Sequence, residues 1–207
     1  MRLTDNKIEY DGCILYQVAR YNRVKNTEEF GGFIEKHLFY KLSNKSWIGI
    51  NSYVYRCIML RGNIIVGKNT IINDSILNGD FLIKNHVIIS GCNIKTRKYA
   101  CVIDSKSSIY NKTFIATGRY EAKLFDDEYF NYKSYKNIDL ITTKHYCRVL
   151  CMTMTYTEAW KYLHDETIWE QLRLKNQSTS PPQLFTPELK LWLLDECEIG
   201  LNKLRQG

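Results

Sequence analysis

From Ser46 onward, apolar residues return in steps of six. Three-residue stretches begin at Ser46, Ser52, Ile58, Ile64, Thr70, Ile76, Leu82, Ile88, Ile94 and Ala100. Turn-like triplets such as Arg61-Gly62-Asn63, Gly67-Lys68-Asn69 and Asn73-Asp74-Ser75 separate them. A short extended stretch and a polar corner, repeated at this period, predict a β-solenoid, in which each strand pairs with the strand one coil away. Three stretches close a triangular coil of about eighteen residues, so the series builds about three coils.

Side chains alternate in and out along such strands. The first position of each stretch is apolar or small and is expected inside. The third is expected inside too. It is apolar at Ile48, Val54, Leu60, Val66 and Ile72 but polar at Asn78, Lys84, Ser90 and Thr96. The later coils must shift register or open, because Lys84 cannot be buried unpaired. The middle position is expected outside, where Trp47, Tyr53, Ile65, Ile71, Ile83 and Ile89 would form an apolar outer face. Such a face needs a cover. The C-terminal helices are the favoured one, and a second copy, giving a homodimer, comes next. The coil resembles that of left-handed hexapeptide parallel β-helices.

The flanks break the period. Ile8–Tyr10, Cys13–Ala19 and Glu28–Lys36 read as strands, and so do Thr113–Thr117, Ile138–Thr143 and Arg148–Thr153. Thr155-x-x-Glu158 is a capping box that opens a helix through Trp160, Leu163, Trp169 and Leu172. Residues 176–183 read as a loop, and Thr186-Pro187-Glu188 starts a last helix. The expected fold is mainly β. An N-terminal strand cap spans residues 1–45, and a short left-handed-type parallel β-helix spans 46–105. A small β extension spans 106–154, and two α-helices occupy 155–207.

Three runs carry a resemblance: Gly12-Cys13-Ile14-Leu15-Tyr16-Gln17-Val18, Gly31-Gly32-Phe33-Ile34-Glu35-Lys36 and Ser46-Trp47-Ile48. They are similar to the start of prophage-encoded β-solenoid proteins, which open on a GxxLxRI strand, continue with LGGWIE and repeat GNAxVx. Gly62-Asn63-Ile64-Ile65-Val66 resembles that repeat, with Ile where the family has a small Ala. Cys151 followed by Thr155-Tyr156-Thr157-Glu158-Ala159 is similar to the family's closing TxxEF segment. The resemblance spans residues 8–165. It implies an origin in a phage or mobile element and carries over no catalytic residue.

Composition narrows the classes. A chain of 207 residues with 25% charged and 44% hydrophobic residues is globular rather than disordered or collagen-like. The 29 Lys+Arg and 22 Asp+Glu leave +7, divided as +9 over residues 1–157 and −2 beyond. The body is basic and the tail mildly acidic. The 7 Cys form no CxxC pair, which predicts reduced thiols rather than a disulfide framework or a zinc site. There is no signal-like apolar start and no run of about 18 apolar residues. The expected location is therefore the cytoplasm of a bacterial host cell, with no membrane partner.

Candidate chemistry is sparse. Hexapeptide acyltransferases use a coil-edge His as general base, and His86 in Lys84-Asn85-His86-Val87 resembles one. No P-loop, GxGxxG or HExxH occurs, and neither a cofactor nor a metal is expected. His145 and Cys147 share one strand face without a third member. The basic residues Arg56, Arg61, Lys68, Lys95, Arg97 and Lys98, with Tyr99, could hold phosphates by charge and bases by stacking. At eighteen residues per coil, Arg61, Gly79 and Arg97 would stack in one row and Lys68, His86 and Asp104 in another. The leading expectation is a non-enzymatic phage or mobile-element interaction protein. Its partner would be a host protein or ribonucleoprotein, contacted in part through RNA, and inhibition of a nucleic-acid-guided defence complex, as by an anti-CRISPR protein, is its sharpest form. The alternatives are an acyltransferase using His86 and a self-assembling structural solenoid.

Overall fold

Buried backbone N–H and C=O groups must be paired, and this chain pairs them by stacking. The computed structural model describes residues 1–96, 100–136, 138–149, 152–177 and 186–206. It divides into two compact units, Met1–Asp126 and Asp127–Gly207. The first opens with an antiparallel meander, β1 (Arg2–Tyr10), β2 (Cys13–Asn22) and β3 (Thr27–Glu35), and a one-turn helix, α1 (Lys36–Phe39). Short strands follow: β4 (Trp47–Ile48), β5 (Tyr53–Tyr55), β6 (Met59–Arg61), β7 (Ile64–Val66), β8 (Ile71–Asn73), β9 (Ile76–Asn78) and β10 (Phe81–Ile83). Then come β11 (Ile88–Ser90), β12 (Asn93–Thr96), β13 (Cys101–Ile103), β14 (Ser108–Tyr110), β15 (Thr113–Ala116) and β16 (Arg119–Tyr120). They stack as three parallel ladders, β4-β7-β10-β13-β16, β5-β8-β11-β14 and β6-β9-β12-β15. The meander joins the second ladder, because β3 pairs in parallel with β5. The mainly-β solenoid is therefore present. Its stacking continues to Tyr120, past residue 105, where the six-residue period fades, and gives about five turns rather than three.

The coils are unequal. Trp47 pairs with Ile65, Ile64 with Phe81, Phe81 with Cys101 and Val102 with Arg119, steps of 18, 17, 20 and 17 residues. One residue is lost at the corner after β8, since Tyr55 to Met59 takes four steps and Asn73 to Ile76 takes three. Side chains alternate with period two, so this loss exchanges inside and outside. Ile48, Val54, Val66 and Ile72 are buried before it, and Leu77, Ile83 and Ile89 after it. Ile83 and Ile89, expected outside, are core residues, while Ile58, Leu82 and Ala100, expected inside, are exposed. Asn78, Lys84, Ser90 and Thr96 fall outside the core, so the solenoid need not open. The three extra residues of the longer coil fall between Thr96 and Cys101.

The corners turn through left-handed backbone. Asn51, Asn69, His86 and Lys106 occupy one corner at φ 57°, 52°, 58° and 65°, and Arg56, Asp74, Gly91 and Asn111 a second. Asn, Asp and His are the side chains best tolerated there. Small polar residues line the inner side of the corners and satisfy the next coil. Ile64 N donates to Ser46 Oγ (3.0 Å), Thr70 N to Ser52 Oγ (3.0 Å), Val87 N to Thr70 Oγ1 (3.3 Å) and Cys92 N to Ser75 Oγ (3.0 Å). The paired glycines Gly31-Gly32 mark where β3 crosses the first coil. A Cβ on either would run into the carbonyl oxygen of Ile48 or Gly49.

The second unit packs differently. An antiparallel meander, β17 (Phe130–Tyr135), β18 (Ile138–Thr143), β19 (Tyr146–Val149) and β20 (Met152–Thr155), is followed by α2 (Tyr156–His164), α3 (Glu166–Gln177) and α4 (Pro187–Gln206). The expected strand Arg148–Thr153 is instead the end of β19 and the start of β20, with Val149 paired to Met152. The capping box forms as read, with Glu158 N bonded to Thr155 Oγ1 and Thr155 N to Glu158. The helix it opens breaks at Asp165, whose carboxylate accepts the Thr167 and Ile168 amides and caps α3. Among the described residues the tail therefore holds three helices, where two were expected. Ala159, Leu163, Trp169, Leu189, Leu193 and Cys197 pack with Ile138, Leu140, Cys147, Val149 and Met154 of the sheet. The helices thus bury their stripes on the sheet of their own unit. Two of the solenoid's outer side chains pack on the N-terminal meander: Tyr10 stacks on Tyr53 at 4.4 Å, and the Arg20 guanidinium lies 4.2 Å over Trp47. The loop expected at 176–183 lies mostly outside the described residues.

Gly79 adopts φ 124°, and a Cβ there would fall on Thr96 Oγ1. Gly79→Ala is expected to destabilise the protein by about 2–3 kcal/mol in urea unfolding. Gly12→Ala, with φ 73° but open space around the Cβ, is expected to cost about 1 kcal/mol.

Candidate partner-binding surface

Over residues 46–120 the sequence holds ten Lys or Arg and only three acids, Asp74, Asp80 and Asp104. The structure shows what each acid does. Asp74 pairs with Arg56 at 3.1 Å, and Asp11 holds the same guanidinium at 2.8 Å. Arg56 is thus neutralised and lies 5.0 Å over the Tyr55 ring, so it is no free phosphate contact. Asp80 accepts the Asn63 amide at 2.9 Å. Asp104 binds Lys84 at 2.7 Å and Arg119 through both carboxylate oxygens. The Arg119 hydrogen bond, and then Lys84, hold the Asp104 carboxyl below the usual carboxylate range. Sequence reading missed this triad, because Asp104 meets Lys84 only through a coil of twenty residues.

Four of the remaining bases form two exposed edges. Arg61, Asn78 and Lys95 share one outward column, through the pairs β6–β9 and β9–β12. Rungs lie about 4.8 Å apart, which separates Arg61 from Lys95 by about 10 Å. The expected Arg61–Gly79–Arg97 row is therefore shifted by the seventeen-residue coils, and Lys95 takes the third place. Arg97, Lys98 and Tyr99 lie outside the described residues. The second edge is the corner of Lys68, His86 and Lys106: His86 N donates to Lys68 O at 2.9 Å, and Lys106 N donates to Asn85 O at 3.2 Å. Lys106, not Asp104, completes that row. No carboxylate among the described residues pairs with Arg61, Lys68, Lys95 or Lys106.

His86 is exposed, with φ 58° in line with Asn51 and Asn69. Its place in the fold is a turn position that His tolerates. His145 and Cys147 do not face one another. His145 sits in the exposed turn after β18, whereas Cys147 is buried and shares a hydrogen bond with Cys197, which together with burial keeps its thiol protonated. Burial pushes Cys57 up to about 12 and raises Cys92. Among the outer apolar side chains, Ile65 is exposed, and Trp47, Tyr53 and Ile71 are half-buried.

Two outcomes follow from these environments. Asp104 has a depressed folded-state pKa, so its contribution is full above its unfolded value of about 4 and is lost as pH falls through the folded value. Asp104→Asn is expected to cost up to about 1 kcal/mol at pH 7 and to flatten that part of the acid unfolding curve. Alkylation with iodoacetamide at pH 8, read by peptide mass, is expected to reach Cys13 before Cys57, Cys92, Cys101, Cys147 and Cys197. The chain matches no family model, no curated protein and no solved structure.

Proposed function

We propose that the chain is a non-enzymatic binding protein whose solenoid engages a ribonucleoprotein through its RNA. The observation that carries this reading is the charge arrangement. Every acid of the solenoid is occupied by a neighbour, while Arg61 and Lys95 on the strands and Lys68 and Lys106 at a corner project as cations that no carboxylate among the described residues pairs with. A phosphate backbone is the partner such edges suit, since its repeating charges release counterions on contact. The resemblance to prophage solenoids supports an origin in a phage or mobile element, and blocking a host nucleic-acid-guided defence complex is the sharpest form of the proposed role.

The double variant Arg61→Glu/Lys95→Glu is expected to weaken binding to a 20-nucleotide single-stranded RNA in fluorescence polarisation. Two lost phosphate contacts should flatten the salt dependence of log K by about 1.4. Arg56→Gln and His86→Ala are expected to leave that slope unchanged. Affinity without salt dependence, or unchanged in the double variant, overturns the electrostatic reading. Turnover of an acyl-CoA that His86→Ala abolishes would make the chain an enzyme instead.

A further inference from the structure

The second unit carries slightly more acids than bases, 11 against 10, yet it holds a cavity rimmed by cations. The cavity is about 270 Å³ and lies between the turn after β18 and the last turns of α4. Its floor is the Tyr156 ring against Gly200, where a Cβ on the helix would collide with that ring. Tyr156 OH donates to Thr143 O at 2.7 Å and ties the floor to the sheet. The turn is fixed as well: the Asp127 carboxylate accepts the Thr143 hydroxyl and the His145 amide (3.0 Å), and Tyr146 N donates to Thr143 Oγ1 at 3.1 Å. Lys144 is thereby held at the rim on a rigid element. Lys203 approaches from α4, with Nζ 3.2 Å from Tyr129 OH and 4.7 Å over its ring. No carboxylate among the described residues pairs with Lys144 or Lys203. A lysine whose partners are a phenol and a ring face holds weak contacts that an anion would replace. Leu204 and the Tyr129 ring give the cavity an apolar wall.

We propose that this cavity binds a small organic anion, its oxyanion head between Lys144 and Lys203 and its apolar body against Tyr129 and Leu204. The volume lies just below the usual range of drug-sized pockets, about 300–1,000 Å³, which fits a single ring or short chain rather than a nucleotide. Two cations and a phenol at a preformed floor select an oxyanion over a neutral isostere, because only the oxyanion forms charge-assisted hydrogen bonds with the two ammonium groups.

The test is titration of the full chain with benzoate, phenyl phosphate, inorganic phosphate and neutral benzamide, followed by calorimetry or NMR shifts. Benzoate or phenyl phosphate should saturate the site, with benzamide at least about tenfold weaker. Lys144→Gln and Lys203→Gln should each weaken the anion by about tenfold, one charge-assisted hydrogen bond, with the melting transition unchanged. Leu204→Ala should weaken phenyl phosphate but not inorganic phosphate. Absence of saturable binding by either organic anion overturns the proposal. So does benzamide binding as well as benzoate, or affinity unchanged in both lysine variants. Inorganic phosphate binding as tightly as phenyl phosphate overturns the assignment of the apolar wall.

Discussion

The hydrogen bond from one coil to the next is the interaction on which the first unit rests. A three-residue strand has no stability of its own, and its N–H and C=O groups are satisfied only because the chain returns to the same place about eighteen residues later. The ladder runs unbroken through one wall: Phe33 N to Ser52 O, Tyr53 N to Thr70 O, Ile71 N to Val87 O and Ile88 N to Ser107 O, all at 2.8–3.0 Å. Returning requires a turn at each corner in every coil, and two of the three corner rows run through left-handed residues, while the third holds Gly62 and Gly79. The corner hydroxyls of Ser46, Ser52, Thr70 and Ser75 belong to the same constraint, since they accept amides of the following coil at the turns.

This constraint separates what was legible in the sequence from what was not. The period of six was legible because corner residues are chemically distinct from strand residues. At the third positions the coil interior was legible from Ile48 to Ile72, because Trp47–Ile65 and Tyr53–Ile71 are steps of eighteen residues, although Ile58, at a first position, is exposed. Beyond Ile72, the loss of one residue near Asp74 turned Leu77, Ile83 and Ile89 inward. The sequence carried a sign of that shift in the polar run Asn78, Lys84, Ser90 and Thr96, which becomes ordinary once it is placed outside the core. The capping box at Thr155 was legible because it is local. The break at Asp165 was not, because Asp165 reads equally well as an exposed helical residue until its carboxylate is seen on the Thr167 and Ile168 amides.

The candidate surface shows the same division. Net charge and its concentration in the solenoid can be counted from the sequence, but which cations remain unneutralised depends on coil length. A coil of eighteen residues would have stacked Arg61 with Arg97 and Lys68 with Asp104. The actual steps put Lys95 two rungs from Arg61, send Asp104 to Lys84 and Arg119, and place Lys106 beside His86. Arg56, which counts as one more positive residue in the sequence, is cancelled by Asp11 and Asp74.

A solenoid can carry a surface of one sign at little structural cost, because backbone pairing and the buried column do not involve the outward side chains. Substitutions at Arg61 or Lys95 touch neither the Leu60–Leu77–Ile94 interior nor the ladder, so that surface is free to be set by a partner. The corner position of His86 is different: its φ near 58° favours Asn, Asp and His whatever the function, although Lys106 occupies the same row at 65°. In the second unit the relation is reversed. There the floor of the anion-accepting cavity is also the packing of α4 on Tyr156, so Gly200 serves fold and site together. On the proposed reading, the first unit would bind through side chains the fold leaves unassigned, and the second through residues the fold already needs.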